Sequence, residues 1–193
     1  MKISGFLLCL FILASCTKSD LPAAQNPDTG AFTLYTIPQG SHYSDKSSPR
    51  QVDKREMRFI VRFDSSAIYT AVDPQNQYDI NKLYGFSDNN SGHHQFSARM
   101  GWRWSDGALR LFAYVYNNGS VSSEEVATVA IGSEVACSIR ADDGSYVFTV
   151  NDVTRTMPRT AGSGAARGYQ LYPYFGGDET APHQIRIWIR DLP

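Results

Sequence analysis

Cysteine, histidine, helical periodicity and long apolar runs are all scarce in this chain of 193 residues. Its cysteines are Cys9, Cys16 and Cys137, with no C-x-x-C spacing, and its histidines number four, with no H-E-x-x-H. Zinc needs three or four convergent N, S or O ligands, so a zinc site has no sequence support. Asp88, Asp178 and Glu179 could contribute to a calcium site, but no twelve-residue calcium loop surrounds them. No metal or other cofactor is therefore expected. There is no P-loop, no G-x-G-x-x-G and no G-x-S-x-G. Basic and acidic residues nearly balance, 18 against 19, and no Lys/Arg block occurs, which argues against nucleic acid as a partner. No apolar run reaches the ~20 residues of a membrane-spanning helix.

At the N-terminus stands a short basic start with Lys2, then the apolar run Phe6–Ile12, then Leu13-Ala14-Ser15-Cys16. This order is that of a secretory signal. Because the small residues end in cysteine, the stretch resembles the lipobox of bacterial lipoproteins. The resemblance implies cleavage before Cys16 and lipidation of its thiol, with several acyl chains to give a stable anchor. The expected organisation is a signal peptide over 1–15, a lipid-anchored polar tether over 16–31 and one domain over 32–193. The expected location is the bacterial cell envelope, at the outer membrane, and the membrane partner is reached through the lipid. The bland alternative is a plain secreted protein in which Cys16 is incidental. With Cys9 removed and Cys16 acylated, Cys137 has no intrachain disulfide partner. Lying in Val135-Ala136-Cys137-Ser138-Ile139, it reads as a buried, inert thiol. Nothing in the sequence sets an oligomeric state.

Beyond the tether the chain alternates with a period of two. Apolar positions recur at Met57, Phe59, Val61 and Phe63; at Phe96, Ala98, Met100, Trp102 and Trp104; and at Leu109, Leu111, Ala113 and Val115. Tyr146, Phe148 and Val150, and then Ile185, Ile187 and Ile189, repeat the pattern. This is the strand signal, and Ser105-Asp106-Gly107, Asn117-Asn118-Gly119 and Asp142-Asp143-Gly144-Ser145 supply the turns. Gln39 to Lys54 reads as a long polar loop. Many short strands with polar turns predict an all-β antiparallel sandwich or barrel.

Alternation also sorts side chains by face. With Ala98, Met100 and Trp102 inward, Arg99 and Arg103 turn outward. With Leu109, Leu111 and Ala113 inward, Arg110, Phe112, Tyr114 and Tyr116 turn outward. A tight turn joins the two strands, so these outward residues share one sheet face. Tyr169–Phe175 would add Gln170, Tyr172 and Tyr174 if it lies alongside. His93 and His94 precede the first of these strands, and His183 precedes the last strand of the chain. As neighbours on a strand, His93 and His94 would point to opposite sides.

Aromatic rings stack on sugars and arginine forks hold carboxylates, so the Arg/Tyr face suits an acidic polysaccharide. The ordinary alternative is that these residues pack under loops or pair with surface acids. A β-eliminating lyase would need a base, an acid and a carboxylate-binding group, and His93, His94, Arg99, Gln170, Tyr172 and Tyr174 supply the types. A glycoside hydrolase would need two facing carboxylates, and no E-x-D-x-E ladder occurs.

Asn81–Asp88, His93–Trp102 and Leu171–Gly177 resemble segments of a family of small lipoproteins from Bacteroidota-type bacteria. The strand pattern is similar in architecture to the concanavalin A-like lectin/glucanase superfamily. That resemblance implies a jelly-roll sandwich rather than a closed barrel. Jelly-roll alginate lyases belong to this class, but Tyr172-Pro173-Tyr174 lacks their motif lysine and Pro182-His183-Gln184 has the wrong order for their Gln-x-His. The resulting expectation is a non-catalytic carbohydrate-binding lipoprotein. A uronate lyase and a structural lipoprotein without a glycan ligand are the alternatives.

Overall fold

A computed structural model describes Met1 and residues 30–193. The expected signal peptide, Cys16 and nearly all of the expected tether lie outside the described residues. Among the described residues no helix is long and apolar enough to cross a membrane.

Twelve strands run in chain order: β1 (Thr33–Ile37), β2 (Gln51–Lys54), β3 (Glu56–Phe63), β4 (Asn81–Ser87), β5 (Phe96–Ser105), β6 (Ala108–Asn117), β7 (Ser120–Val129), β8 (Glu134–Asp142), β9 (Ser145–Val150), β10 (Val153–Pro158), β11 (Ala166–Leu171) and β12 (Ile185–Leu192). They form two six-stranded antiparallel sheets. The first has the order β1-β12-β3-β8-β9-β10 and the second β2-β11-β4-β5-β6-β7. The segment read as one loop from Gln39 to Lys54 ends in β2, which pairs with β11. Burial of Val52 in this short, otherwise polar strand accounts for the difference.

The alternating apolar residues meet between the sheets. Met57, Phe59, Val61 and Phe63 of β3 and Ile185, Ile187 and Ile189 of β12 are buried against Ala98, Met100 and Trp102 of β5 and Leu109, Leu111, Ala113 and Val115 of β6. Each fully buried aliphatic or aromatic side chain contributes about 1.5–3 kcal/mol of transfer free energy. Cys137 sits in this core with no disulfide partner among the described residues, and burial pushes its thiol pKa well up.

Two turns set the register that matters for the outer face of the second sheet. Asp106-Gly107 (φ 53° and 72°) joins β5 to β6, and Asn118-Gly119 (φ 48° and 82°) joins β6 to β7. Two successive positive φ values are the two-residue hairpin geometry that Asn-Gly and Asp-Gly favour. Arg99 therefore stands opposite Tyr114, and Ser97 opposite Tyr116. Thr33 at the start of β1 pairs with Ile189 near the end of β12, so the first and last strands of the domain lie side by side at these ends.

Asp88 and Arg159 tie the sheets together. Arg159 Nε donates to Asp88 Oδ2 at 2.8 Å, and both side chains are 1% exposed. Tyr146 Oη of β9 donates to the same oxygen at 2.7 Å, while the Asn89 and Arg167 backbone N–H groups donate to Oδ1 at 2.7 and 3.1 Å. Arg159 Nη1 donates to the Asp142 and Gly164 carbonyls.

Candidate functional site

The site grows from the β5–β6 hairpin. Arg99 projects from the outer face of the second sheet, beside Tyr114 and Tyr116, into a groove of about 570 Å³. One wall is the segment after β11. Lys82 and Tyr174 exchange backbone hydrogen bonds at 2.8 and 2.9 Å, which seats Tyr174 beside the start of β4. His42 stacks on the Tyr174 ring at 5.2 Å and Tyr43 meets it edge-on at 5.1 Å. His93 and His94 close the opposite end, where His94 packs 5.3 Å from Tyr116.

Gly85 makes room for Arg99. It pairs with Arg99 across β4 and β5. A Cβ there would collide with the Ala98 carbonyl oxygen and stand 2.7 Å from Arg99 Cα and 3.0 Å from its Cγ. No residue but glycine leaves space for the Arg99 stem at that point.

The electrostatics are cationic and unbalanced. Arg99 is 6% exposed, its Nε is buried without a partner, and among the described residues nothing accepts a hydrogen bond from its guanidinium. Burial lowers its pKa to about 10, partly offset by the surrounding tyrosines. Lys82 Nζ donates to the Gly176 carbonyl at 2.9 Å and lies 5.0 Å from the Tyr114 ring centroid. Burial first, then the Arg99 charge, bring the Lys82 ammonium down to about 8. His93 is held neutral, its pKa lowered to about 4 by burial, then Arg99 and His94. Its Nδ1 lies 2.9 Å from Tyr169 Oη, which also accepts the His93 backbone N–H at 3.0 Å. Among the described residues, no Asp or Glu lines the groove.

Of the residues singled out in the sequence, His93, His94, Arg99, Tyr114, Tyr116, Gln170, Tyr172 and Tyr174 all line this groove. Both histidines reach it because they sit in the turn before β5, where strand alternation does not apply. Gln170 and Tyr172 are committed elsewhere. Gln170 is opposite Phe86, is buried, and donates its amide to the Tyr84 hydroxyl on the core side. Tyr172 packs on Tyr35 and Tyr84 and donates to the Ser48 carbonyl at 2.8 Å.

Three residues lie away from the groove. Arg103 stacks 4.7 Å from the Phe112 ring centroid and donates to the Tyr78 carbonyl at 2.8 Å. Arg110 pairs with Glu125 at 3.1 Å. His183 Nε2 donates to the Ser66 carbonyl at 2.8 Å, in the loops that lead to the first sheet. The three acids considered for calcium do not assemble either. Asp88 is taken by Arg159, and Glu179 accepts the Val72 and Asp73 backbone N–H groups at 2.8 and 2.7 Å. Among the described residues no group of three His, Cys, Asp or Glu is placed to hold a metal.

Lys82, Tyr43 and Tyr169 are among the lining residues that sequence reasoning missed. Lys82 precedes a bulge that puts Leu83 and Tyr84 both in the core, which breaks the period of two that would have revealed it. Tyr169 and Leu171 occupy the groove face of β11, the parity opposite to the one expected for that segment.

No protein-family model and no curated protein matches the chain. Solved structures do. An alginate lyase superposes with a TM-score of 0.56 at 6% identity, over 82% of this chain and 72% of that one. A glycoside hydrolase family 16 endo-glucanase from Bacteroides ovatus gives 0.54 at 12%, over 88% and 84%. A β-1,3-1,4-glucanase (lichenase) from a mouse hindgut metagenome gives 0.51 at 9%, over 83% and 79%. Identities this low carry the fold alone, an antiparallel two-sheet jelly roll.

Proposed function

We propose that the groove binds an acidic polysaccharide, with a uronate carboxylate on Arg99 and sugar rings against the tyrosine walls. The observation that carries this reading is Arg99 itself: a nearly buried guanidinium with no protein acceptor, in a groove without carboxylates. A buried cation is costly unless something pairs with it, and a carboxylate matches its fork. Tyr114, Tyr116, Tyr169 and Tyr174 supply rings of the kind that stack on sugars. The similar folds of an alginate lyase and two glucanases support the polysaccharide class. Hydrolysis by a carboxylate pair is not supported, since the groove has none.

Calorimetric titration with alginate and pectate oligosaccharides, and with a neutral β-glucan, is expected to give binding to the acidic chains alone. Equal binding of the neutral glucan, or no binding of either acidic chain, overturns the reading.

The neutral His93 beside Tyr169 favours a second reading, β-elimination of the bound uronate, because such a pair can relay a proton. It predicts growth of the ultraviolet absorbance of an unsaturated product in the same mixtures, and a flat trace with bound ligand leaves the non-catalytic binder.

The lipobox-like Leu13-Ala14-Ser15-Cys16 supports display of the domain from the bacterial outer membrane through a lipid on Cys16. Cells fed an alkyne fatty acid are expected to label the protein, and Cys16→Ser to remove the label. Retained labelling in that variant would count against the anchor.

A further inference from the structure

Lys82 is the second cation of the groove, and the proposed function makes no use of it. Its position is set by the sheet. Arg99 pairs with Gly85 and Lys82 with Gly101, two residues farther along β5 and one strand across. Strand geometry then puts their Cα atoms roughly 8 Å apart, on the same face. Both side chains line one groove, so their heads address one ligand.

The groups around Lys82 do not neutralise it. The Gly176 carbonyl takes one of its three protons and the Tyr114 ring lies against it. Arg99 repels it, and Asp79, the charged group that favours it, forms no ion pair with it. Tyr174 touches Lys82 through its backbone, bonded in both directions. Among the described residues, then, the Lys82 ammonium has no carboxylate partner and has donor capacity left over.

Resting on the reading of the groove as a polyanion site, we infer that Lys82 holds a second acid group, so that the preferred chain carries carboxylates on adjacent sugar units. A chain with acid groups on alternate units fills Arg99 and leaves Lys82 facing a neutral sugar. The inference also gives the site a pH response. Lys82 is mostly charged at pH 7 and mostly neutral by pH 9, because its pKa stands at about 8. An anion placed beside it favours the charged form, so binding takes up a proton and weakens as pH rises through that range.

The test uses two probes, an oligogalacturonate with an acid on every unit and a hyaluronan oligosaccharide of equal length with an acid on every second unit. The unsubstituted protein is expected to prefer the first by about tenfold at pH 7, the scale of one charge-assisted hydrogen bond. Lys82→Met is expected to erase that preference while keeping hyaluronan affinity. Lys82→Arg, whose charge does not titrate in this range, is expected to keep the preference and flatten the fall between pH 7 and pH 9. Proton uptake at pH 8.5, read from calorimetry in buffers of different ionisation enthalpy, is expected with oligogalacturonate and absent in Lys82→Met. An unchanged preference in Lys82→Met overturns the role of Lys82 and leaves the polyanion groove standing. Failure of both probes to bind the unsubstituted protein overturns the groove reading itself.

Discussion

Arg99→Met is expected to weaken binding of oligogalacturonate by about 30-fold or more and to leave the ligand-free protein as stable as before, or more so. Truncating one partner of a buried, hydrogen-bonded charge pair costs about 2–5 kcal/mol of binding free energy, which sets the lower bound. The stability half follows from the unliganded state. Arg99 is buried, its Nε has no partner, and no carboxylate lines its surroundings, so the fold carries an uncompensated charge. Methionine keeps much of the stem that lies over Gly85 and removes that charge. Arg110→Met serves as the control. Arg110 stands on the same sheet but pairs with Glu125 outside the groove, so its loss is expected to leave affinity unchanged. Calorimetry for affinity and urea unfolding for stability give both readouts. Arg99→Met that binds normally removes the basis of the proposed function.

Asp88→Ala is expected to destabilise the domain by about 3–5 kcal/mol, because it strands the Arg159 guanidinium in the interior. Asp88 accepts four hydrogen bonds, from Arg159, Tyr146 and two backbone N–H groups, and both charged side chains are 1% exposed. For a domain of this size the loss corresponds to a fall in Tm of roughly 6–20 °C. The paired variant Asp88→Leu with Arg159→Met removes both charges together and is expected to regain much of the loss. Urea unfolding of the three proteins forms the comparison. If Asp88→Ala unfolds at the same midpoint as the unsubstituted chain, the ion pair is not a principal tie between the sheets.

The hairpin that carries the groove was open to reading from sequence because its local signals agree. Ala98, Met100 and Trp102 alternate with Arg99 and Gly101, Leu109–Val115 alternate with Arg110–Tyr116, and Asp-Gly stands between them. Burial on one side and a fixed turn leave no freedom of register. The signal fades where burial is one-sided or interrupted. β7 and β10 are edge strands with few buried residues, so little apolar alternation marks them. In β4 the bulge carries Lys82 to the groove and sends two consecutive residues inward. In β11 the buried Gln170 occupies a core-side position that an apolar residue would have made visible. His183 shows the converse: a histidine near a strand end satisfies a backbone carbonyl as readily as it enters a site.

The pairing of Thr33 with Ile189 gives the domain the connectivity of a nearly closed ring. A short linker between the adjacent ends of β1 and β12 would complete the circle, and reopening it at the exposed Asp143-Gly144 turn would keep every strand partner in place. The order in which the strands leave the ribosome is thus separable from their arrangement in space. A permuted chain would carry a fused reporter at that turn and leave the adjacent ends of β1 and β12 joined.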